Sequence, residues 1–341
     1  MSAGGDDNND GSIDTPWKTL EKASSVADKF DAGGLLAPGH RLLFKSLDIF
    51  EGHFQVNCSG SAEKSIEISS YGIRELPIIS GSASIEGGDY FQAISLTNTS
   101  NLLLTHLWIK NDSKDDSRYT YGEYTSFRIK LFANKWGGVL TNMVFRELKV
   151  SDVFGVSIPP PSEFNSLKAT GICWESDVNE VGLEVSIKDV LLEDCYFTHI
   201  GKAGVWGIHK GDLETEDGFM NRIQNIVVRN NTFYRTGGSG VILSKTYNGL
   251  FENNDFDQTG YSNGVENRLA GRGSGAWVFS CRNIIAQYSR SYGLQGPNES
   301  YGMHIDFGNK NIIFQYNYSE ESEGGFCEIL GRISILLIDL M

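Results

Sequence analysis

An all-β solenoid, a parallel β-helix with a short N-terminal capping helix, is the fold class that this sequence predicts, and two recurring phrases predict it. The first is a glycine followed by an apolar alternation. It reads Gly204-Val205-Trp206-Gly207-Ile208, Gly240-Val241-Ile242-Leu243, Gly275-Ala276-Trp277-Val278-Phe279, Gly302-Met303-His304-Ile305-Asp306 and Gly325-Phe326-Cys327-Glu328-Ile329, with a weaker copy at Gly171-Ile172-Cys173-Trp174-Glu175. The second is a polar residue leading three mostly apolar ones, headed by Asn101, Asn142, Asp189, Asn225, Asn248, Asn283 and Asn311. Its heads recur at steps of 41, 47, 36, 23, 35 and 28 residues. Such periods mark stacked repeats. The runs are short, β-branched or aromatic, and bounded by Gly, Asn, Asp and Ser, so each repeat is a coil of strands. One coil cannot bury its own apolar face, and stability comes from its neighbours. The steps leave room for two or three strands and their turns, and their unevenness predicts loops inserted at one corner. Asn tolerates left-handed backbone, so the heads are expected at corners, where stacked amides can bond one another.

Taken in order, residues 1–15 are a polar segment rich in Gly, Asp, Asn and Ser, too polar to fold alone. Asp6, Asp7, Asn8, Asn9 and Asp10 have the look of a calcium-binding run but lack the terminal Glu of a full loop. A helix is expected to start with Thr15 as cap and Pro16 at its first position, with Trp17, Leu20 and Val26 near one face, and to end between Phe30 and Gly33. It would plug the open end of the stack. Strands follow at Leu42-Leu43-Phe44, Phe54-Gln55-Val56 and Ser65-Ile66-Glu67-Ile68. The β-helix domain is assigned to residues 16–331, with insertions at 113–136, 155–183 and 257–274. Residues 332–341 are an apolar tail outside the repeat vocabulary. Terminal coils normally need a polar cover, so the tail is expected to mark a truncation rather than a cap.

The chain has 341 residues and a formal charge of −14. Nucleic-acid binding needs clustered Lys and Arg, and is excluded on that ground. No apolar stretch reaches membrane-spanning length, and a monomer is expected. The first residues carry no signal-peptide pattern. The five cysteines have neither zinc nor redox spacing and read as small residues fitting β-coils. Cys173 and Cys327 are expected on one column with Trp206 and Trp277.

The opening Asp6-Asp7-Asn8-Asn9-Asp10-Gly11, Thr15-Pro16-Trp17-Lys18-Thr19-Leu20 and Leu43-Phe44-Lys45-Ser46-Leu47-Asp48-Ile49-Phe50-Glu51-Gly52 resembles that of secreted right-handed parallel β-helix proteins of the pectate-lyase-like superfamily. Those proteins usually carry Gly-Asp where this chain has Leu47-Asp48. With the coil phrases, the resemblance covers most of residues 6–331. It implies a right-handed helix and a secreted, cell-surface or periplasmic protein acting on polysaccharide. It does not choose among lyases, hydrolases, epimerases, esterases and adhesins. The paired Lys and Arg motifs of the alginate and chondroitin lyase branch are not found.

Alternation sends the first and third residues after each glycine inward and the second and fourth outward. The outward set contains Glu175, Trp206, Trp277, His304 and Asp306. Coils stack about 4.8 Å apart, so side chains a few coils apart line a groove of oligosaccharide length. Trp206 and Trp277 read as sugar-stacking platforms, or as rings covered by the long loops. His304 and Asp306 share a strand and a face, and a carboxylate can orient an imidazole. Glu175 lies several coils away, and loops could bring it or Glu266 closer. His209 and Lys210 could reach the groove edge.

The catalytic candidates are therefore Asp306, His304, Glu175, His209 and Lys210. The substrate-binding candidates are Trp206, Trp277, Arg272, Lys245 and Trp136. A carboxylate pair serves glycoside hydrolysis as acid and base or nucleophile. Elimination on a uronate would instead need a base and a cation. His209, Lys210, Lys245, Arg272 or His304 could be the base, and Ca²⁺ the cation. A lone Asp at a turn or a lone His is equally at home as a structural residue. Glu328 falls inward in this register, where an unpaired carboxylate is costly, so either the register slips at this coil or Glu328 has a polar partner. Hydrolysis is the expected reaction, with β-elimination and non-catalytic glycan binding as the alternatives.

Overall fold

The computed structural model describes residues 1–30, 33–73, 75–81, 92–112, 127–134, 138–155, 169–176, 185–209, 223–262, 268–297 and 299–331. Three nine-stranded sheets run the length of the described chain, and each coil gives one strand to each. Sheet A runs from Arg41–Lys45 to Lys310–Gln315, sheet B from Ile49–Glu51 to Tyr318–Glu320, and sheet C from Phe54–Val56 to Gly325–Ile329. Paired strands are parallel throughout, for example Met143 with Val190 in sheet A and Phe197 with Phe233 in sheet B. The β-helix expected from the two phrases is thus the observed fold, with one short helix near the N-terminus.

The links between strands differ by corner. Sheet A passes to sheet B through two residues in successive coils, as at 147–148, 194–195, 230–231 and 253–254. The stretches 113–126, 156–168, 177–184 and 210–222, which lie outside the described residues, all fall in sequence beside sheet C strands. The predicted insertions therefore border sheet C, but two were drawn too wide, since 113–136 takes in the sheet C strand Phe127–Ala133 and 155–183 the sheet C strand Thr170–Ser176.

The Asn heads behave as their chemistry requires. Asn101, Asn142, Asp189, Asn225, Asn248, Asn283 and Asn311 all have φ between 54° and 58°, the left-handed region that Asn and Asp tolerate best among residues with a side chain. Their amides form a ladder up the stack. Asn225 Nδ2 donates to Asp189 Oδ1 at 2.9 Å, Asn248 to Asn225 at 3.3 Å, Asn283 to Asn248 at 3.2 Å and Asn311 to Asn283 at 3.0 Å. A second ladder runs inside the corner between sheets A and B. Asn231 Oδ1 accepts from Cys195 N, Asn254 Oδ1 from Asn231 N, and Asn317 Oδ1 from Ser289 N. Cys195 takes the equivalent place one coil earlier, with its thiol facing Leu148 N at 3.4 Å. On the outside of sheet A, Glu193 bridges Arg146 and Arg229 at 2.5 and 2.7 Å. Burial pushes its carboxyl up, but the two guanidiniums prevail and hold it below the ordinary value.

The glycine column has a steric cause. Phe197, Phe233 and Phe256 of sheet B stack inside the solenoid with centroids 4.8 and 5.2 Å apart. A Cβ placed at Gly204 would overlap the Phe233 ring and the Gly240 carbonyl of the next coil, and one at Gly240 would overlap Phe256 and the Gly275 carbonyl. Gly207 leaves room for the fully buried Trp174 indole of the coil below.

The helix spans Leu20–Val26 and is capped by Thr19, whose hydroxyl accepts from Lys22 N at 3.2 Å. It is shorter at both ends than the sequence predicts. Thr15 is bonded to Asp10 and Ser12, and the carbonyls of Pro16 and Trp17 accept from Asp6 N and Ser2 N. Asp7 receives the amides of Lys18 and Thr19. After Ala27 the chain folds back, and Leu35 and Leu36 donate to the Val26 carbonyl. Leu20, Ala23 and Val26 still bury their side chains in the first coil's core. Leu47, at the position where the superfamily usually has glycine, has φ 70°. Asp48 beside it accepts from Ser2 Oγ at 2.9 Å and Ala3 N at 2.7 Å, which ties the N-terminal segment to the stack. Among the described residues no helix is long and apolar enough to cross a membrane.

Candidate functional site

Sheet C carries the outward residues that the alternation predicts. One outward column runs Lys130, Cys173, Trp206, Ile242, Trp277, His304 and Glu328 through successive paired strands. Glu175 is paired with Ile208, and Ser244 with Phe279, in the column beside it; Asp306 follows Ile305 at the end of the same row.

The last coil departs from the predicted register. Gly325 pairs with Tyr301, and Cys327 with Met303, so Phe326 rather than Gly325 stands opposite Gly302. Two expectations change with it. Cys327 joins the inward row of Ala276 and Met303 and packs against the core, away from the column of Trp206 and Trp277. Glu328 turns outward, next to His304. The glycine phrase misleads here because Gly325 serves a turn, with φ 97°, rather than the close approach that the other glycines permit.

The register gathers a compact polar cluster. The Trp277 indole N–H donates to Asp306 Oδ2 at 3.1 Å, and Phe307 N donates to Oδ1 at 2.7 Å. The His304 imidazole stacks on Trp277, with centroids 5.2 Å apart and planes 14° apart, and meets the edge of Tyr301. His304 is 3 % exposed. Its Nε2 lies 3.3 Å from Glu328 Oε2, within ion-pair range, although neither ring nitrogen has a well-aligned hydrogen bond. The Tyr301 hydroxyl bonds Glu328. Burial, then the charge of Glu328 and that bond, raise the tyrosine pKa. Glu328 and Tyr301 are the residues that sequence reasoning missed. Pairing the last strand by its alternation rather than by its glycine would have found Glu328.

Of the predicted site residues, His304, Asp306 and Trp277 come together. The stacked imidazole lies against one face of Trp277, and the indole N–H is spent on Asp306. Glu175 lies four coils from Asp306, about 19 Å at the usual strand spacing, too far to flank the same bond. It faces Lys130 at 3.4 Å instead. His209 is buried, with Nδ1 2.6 Å from Ser176 Oγ. Trp206 lies under Lys202, whose Nζ is 4.3 Å from its ring. Arg272 is paired with Glu299. Lys245 forms the corner after Val241–Ser244, with φ 52°. Lys210 and Trp136 lie outside the described residues. The N-terminal carboxylates Asp6, Asp7 and Asp10 accept from amides and hydroxyls of their own segment. Among the described residues no group of three or more His, Cys, Asp or Glu is arranged to hold a metal ion.

The two carboxylates differ in their surroundings. Asp306 accepts from an indole and a backbone amide, neither of which gives up a proton. Glu328 is flanked by a phenol and an imidazole, both of which exchange protons. One coil and two residues separate them along the sheet, which puts their Cα atoms roughly 8 Å apart. Carboxyl groups of glycosidase pairs work about 5 to 9.5 Å apart, and side chains from Cα atoms spaced this way can span that range.

Residues 162–337 match a family model described as a right-handed beta helix region. Among solved structures, the chain is similar to a GH136 lacto-N-biosidase from Eubacterium ramulus, at 21 % identity and a TM-score of 0.77, over 96 % of this chain and 56 % of that one. It is also similar to an alginate lyase from a Paenibacillus species, at 14 % identity and a TM-score of 0.51, over 91 % and 95 % of the two chains. A third similar structure, XylC in complex with xylose, has 7 % identity and a TM-score of 0.51 over 96 % and 67 %. This chain thus spans a little over half the length of the lacto-N-biosidase. At these identities the likeness is one of fold. No curated protein matches the sequence.

Proposed function

The chain belongs to the right-handed β-helix family, and on that premise we propose that it hydrolyses glycosidic bonds in a glycan held against the outer face of sheet C. The observation that carries this reading is the juxtaposition of Asp306 and Glu328 around His304. Asp306, held in place by the Trp277 indole and the Phe307 amide, acts as the base or nucleophile. Glu328, with His304 and Tyr301 as proton-exchanging neighbours, acts as the acid that protonates the leaving oxygen. Trp277 aims Asp306 and supports the imidazole from one side.

Elimination on a uronate is the weaker reading. It needs a cation beside the base to neutralise the sugar carboxylate. Lys130 is spent on Glu175, and Arg272 on Glu299, while the His304 cluster itself carries two carboxylates. The names of the similar structures, which include a biosidase and a lyase, leave both chemistries open. A polymeric glycan also implies a setting outside the cell, since such a polymer does not cross membranes.

The test is a glycan panel read two ways on the same samples, by new reducing ends and by the ultraviolet absorbance of an unsaturated uronate. Reducing ends without absorbance, lost about 100-fold or more in Glu328→Gln and Asp306→Asn with KM little changed, are the expected result. Absorbance rising with the reducing ends would replace hydrolysis with elimination. Turnover equal to wild type in both variants would remove this site from the chemistry.

A further inference from the structure

The outer face of sheet B carries a second group of aromatic and charged side chains, and the proposed cleavage does not use it. Its centre is Asp257. In strand Asp255–Asp257 the middle residue, Phe256, is buried, so Asp255 and Asp257 point outward. Tyr234 is the register partner of Asp257 on one side, and Tyr292 on the other. The two tyrosines therefore stand two coils apart, roughly 9–10 Å, with a carboxylate at the floor between them.

The surroundings are braced. Arg235 lies 4.9 Å from the ring centroids of both Tyr234 and Tyr261, and its Nε donates to Gln258 at 2.9 Å. Arg290 is held by Asp255 at 3.2 Å. One oxygen of Asp257, Oδ1, is buried with no hydrogen-bond partner. The face is open to solvent at Tyr196, which is 38 % exposed, and at Tyr318, which is 55 % exposed.

We propose that Tyr234, Asp257 and Tyr292 form a non-catalytic glycan subsite on sheet B, with one sugar ring seated between the two tyrosines and its hydroxyls donating to the accessible oxygen of Asp257. Strands two coils apart stand about 9–10 Å from each other, which leaves room for one saccharide ring between the two side chains. Aromatic walls suit the C–H faces of a sugar, and a carboxylate suits vicinal hydroxyls, so the ligand class is a neutral saccharide. The guanidiniums are already engaged by protein partners, so the slot is preorganised and binding costs little ordering. The proposal shares with the cleavage reading only the class of ligand.

The test is native electrophoresis through gels cast with starch, xylan, galactan or glucomannan, beside turnover of short oligosaccharides in solution. We expect wild type to be retarded by at least one polymer. Retardation should disappear in the double variant Tyr234→Ala/Tyr292→Ala, weaken about tenfold in Asp257→Asn, and survive in Glu328→Gln. Oligosaccharide turnover should follow the opposite pattern, unchanged in the sheet B variants and lost in Glu328→Gln, so failure of either idea is visible separately. Retardation of the double variant equal to wild type, or no retardation of wild type by any polymer, would overturn the subsite. If the double variant does not fold, Asp257→Asn alone decides: unchanged retardation overturns the proposal.

Discussion

Trp277 holds two groups of the candidate site at once, with its N–H on Asp306 and its ring face against His304. The two contacts can be separated. Trp277→Phe keeps an aromatic face for the imidazole and removes the only donor from Asp306 Oδ2 that comes from a side chain among the described residues. A hydrogen bond to a charged group contributes about 1.5–3 kcal/mol. If that bond holds the base in place, kcat should fall roughly 10- to 100-fold, with KM and the thermal midpoint little changed. An unchanged kcat would make the bond structural only. Much of this cluster was legible in the sequence. His304 and Asp306 sit two residues apart, and alternation alone puts them on one face. The place of Glu328 was not, because Phe326 rather than a glycine fills the close-approach position of the last coil, and aligning on Gly325 moved every side chain of that strand to the wrong face. The role of Trp277 was also out of reach, since an outward Trp looks the same in a sequence whether it stacks on a sugar or on a histidine one coil away.

At the scale of the strand, the repeated glycine that identified the fold is a packing consequence of another strand. Sheet B sends Phe233 and Phe256 across the interior, and the glycines of sheet C pass over those rings. Gly240→Ala should therefore destabilise the protein by about 1–3 kcal/mol through overpacking. The part of the cost due to the ring should be relieved when Phe256 is also changed to Leu, and a double-mutant cycle reads that coupling, while the part due to the Gly275 carbonyl should remain. Additive effects would mean that the glycine is there for its backbone and not for the ring. This origin was invisible in the sequence, where Phe256 and Gly240 carry no sign of being neighbours. The Asn ladder, by contrast, was legible in advance, because left-handed backbone and amide pairing are local properties of Asn at a corner. The helix start was misjudged for the opposite reason. Thr15 and Pro16 form a good capping signal, but long-range bonds from Ser2 and Asp6 to the carbonyls of Trp17 and Pro16 use the backbone that the helix would need.

For the molecule as a whole, charge narrows what the sheet C face can accept. The chain carries 43 Asp and Glu against 29 Lys and Arg, a formal charge of −14, and the candidate site adds two carboxylates beside one imidazole. Among the described residues, Lys130 is paired with Glu175 and Arg272 with Glu299, while Lys202 lies over the Trp206 ring. A polyuronate approaching this surface meets like charge, whereas a neutral glycan does not. Salt screens such repulsion, with a Debye length near 10 Å at 0.1 M. Cleavage of a neutral glycan should therefore keep nearly the same kcat/KM as ionic strength rises. Any turnover of a polyuronate should be slow at low salt and increase on adding salt. The measurement is kcat/KM for one neutral and one uronate substrate across a salt series at fixed pH. A uronate turned over fastest at low salt would mean that a cationic group faces the substrate after all, and would favour elimination over the carboxylate pair. The comparison is informative because a glycan laid along sheet C would cross strands spaced 4.7–4.9 Å apart, close enough for the carboxylates of the site to act on more than one sugar unit.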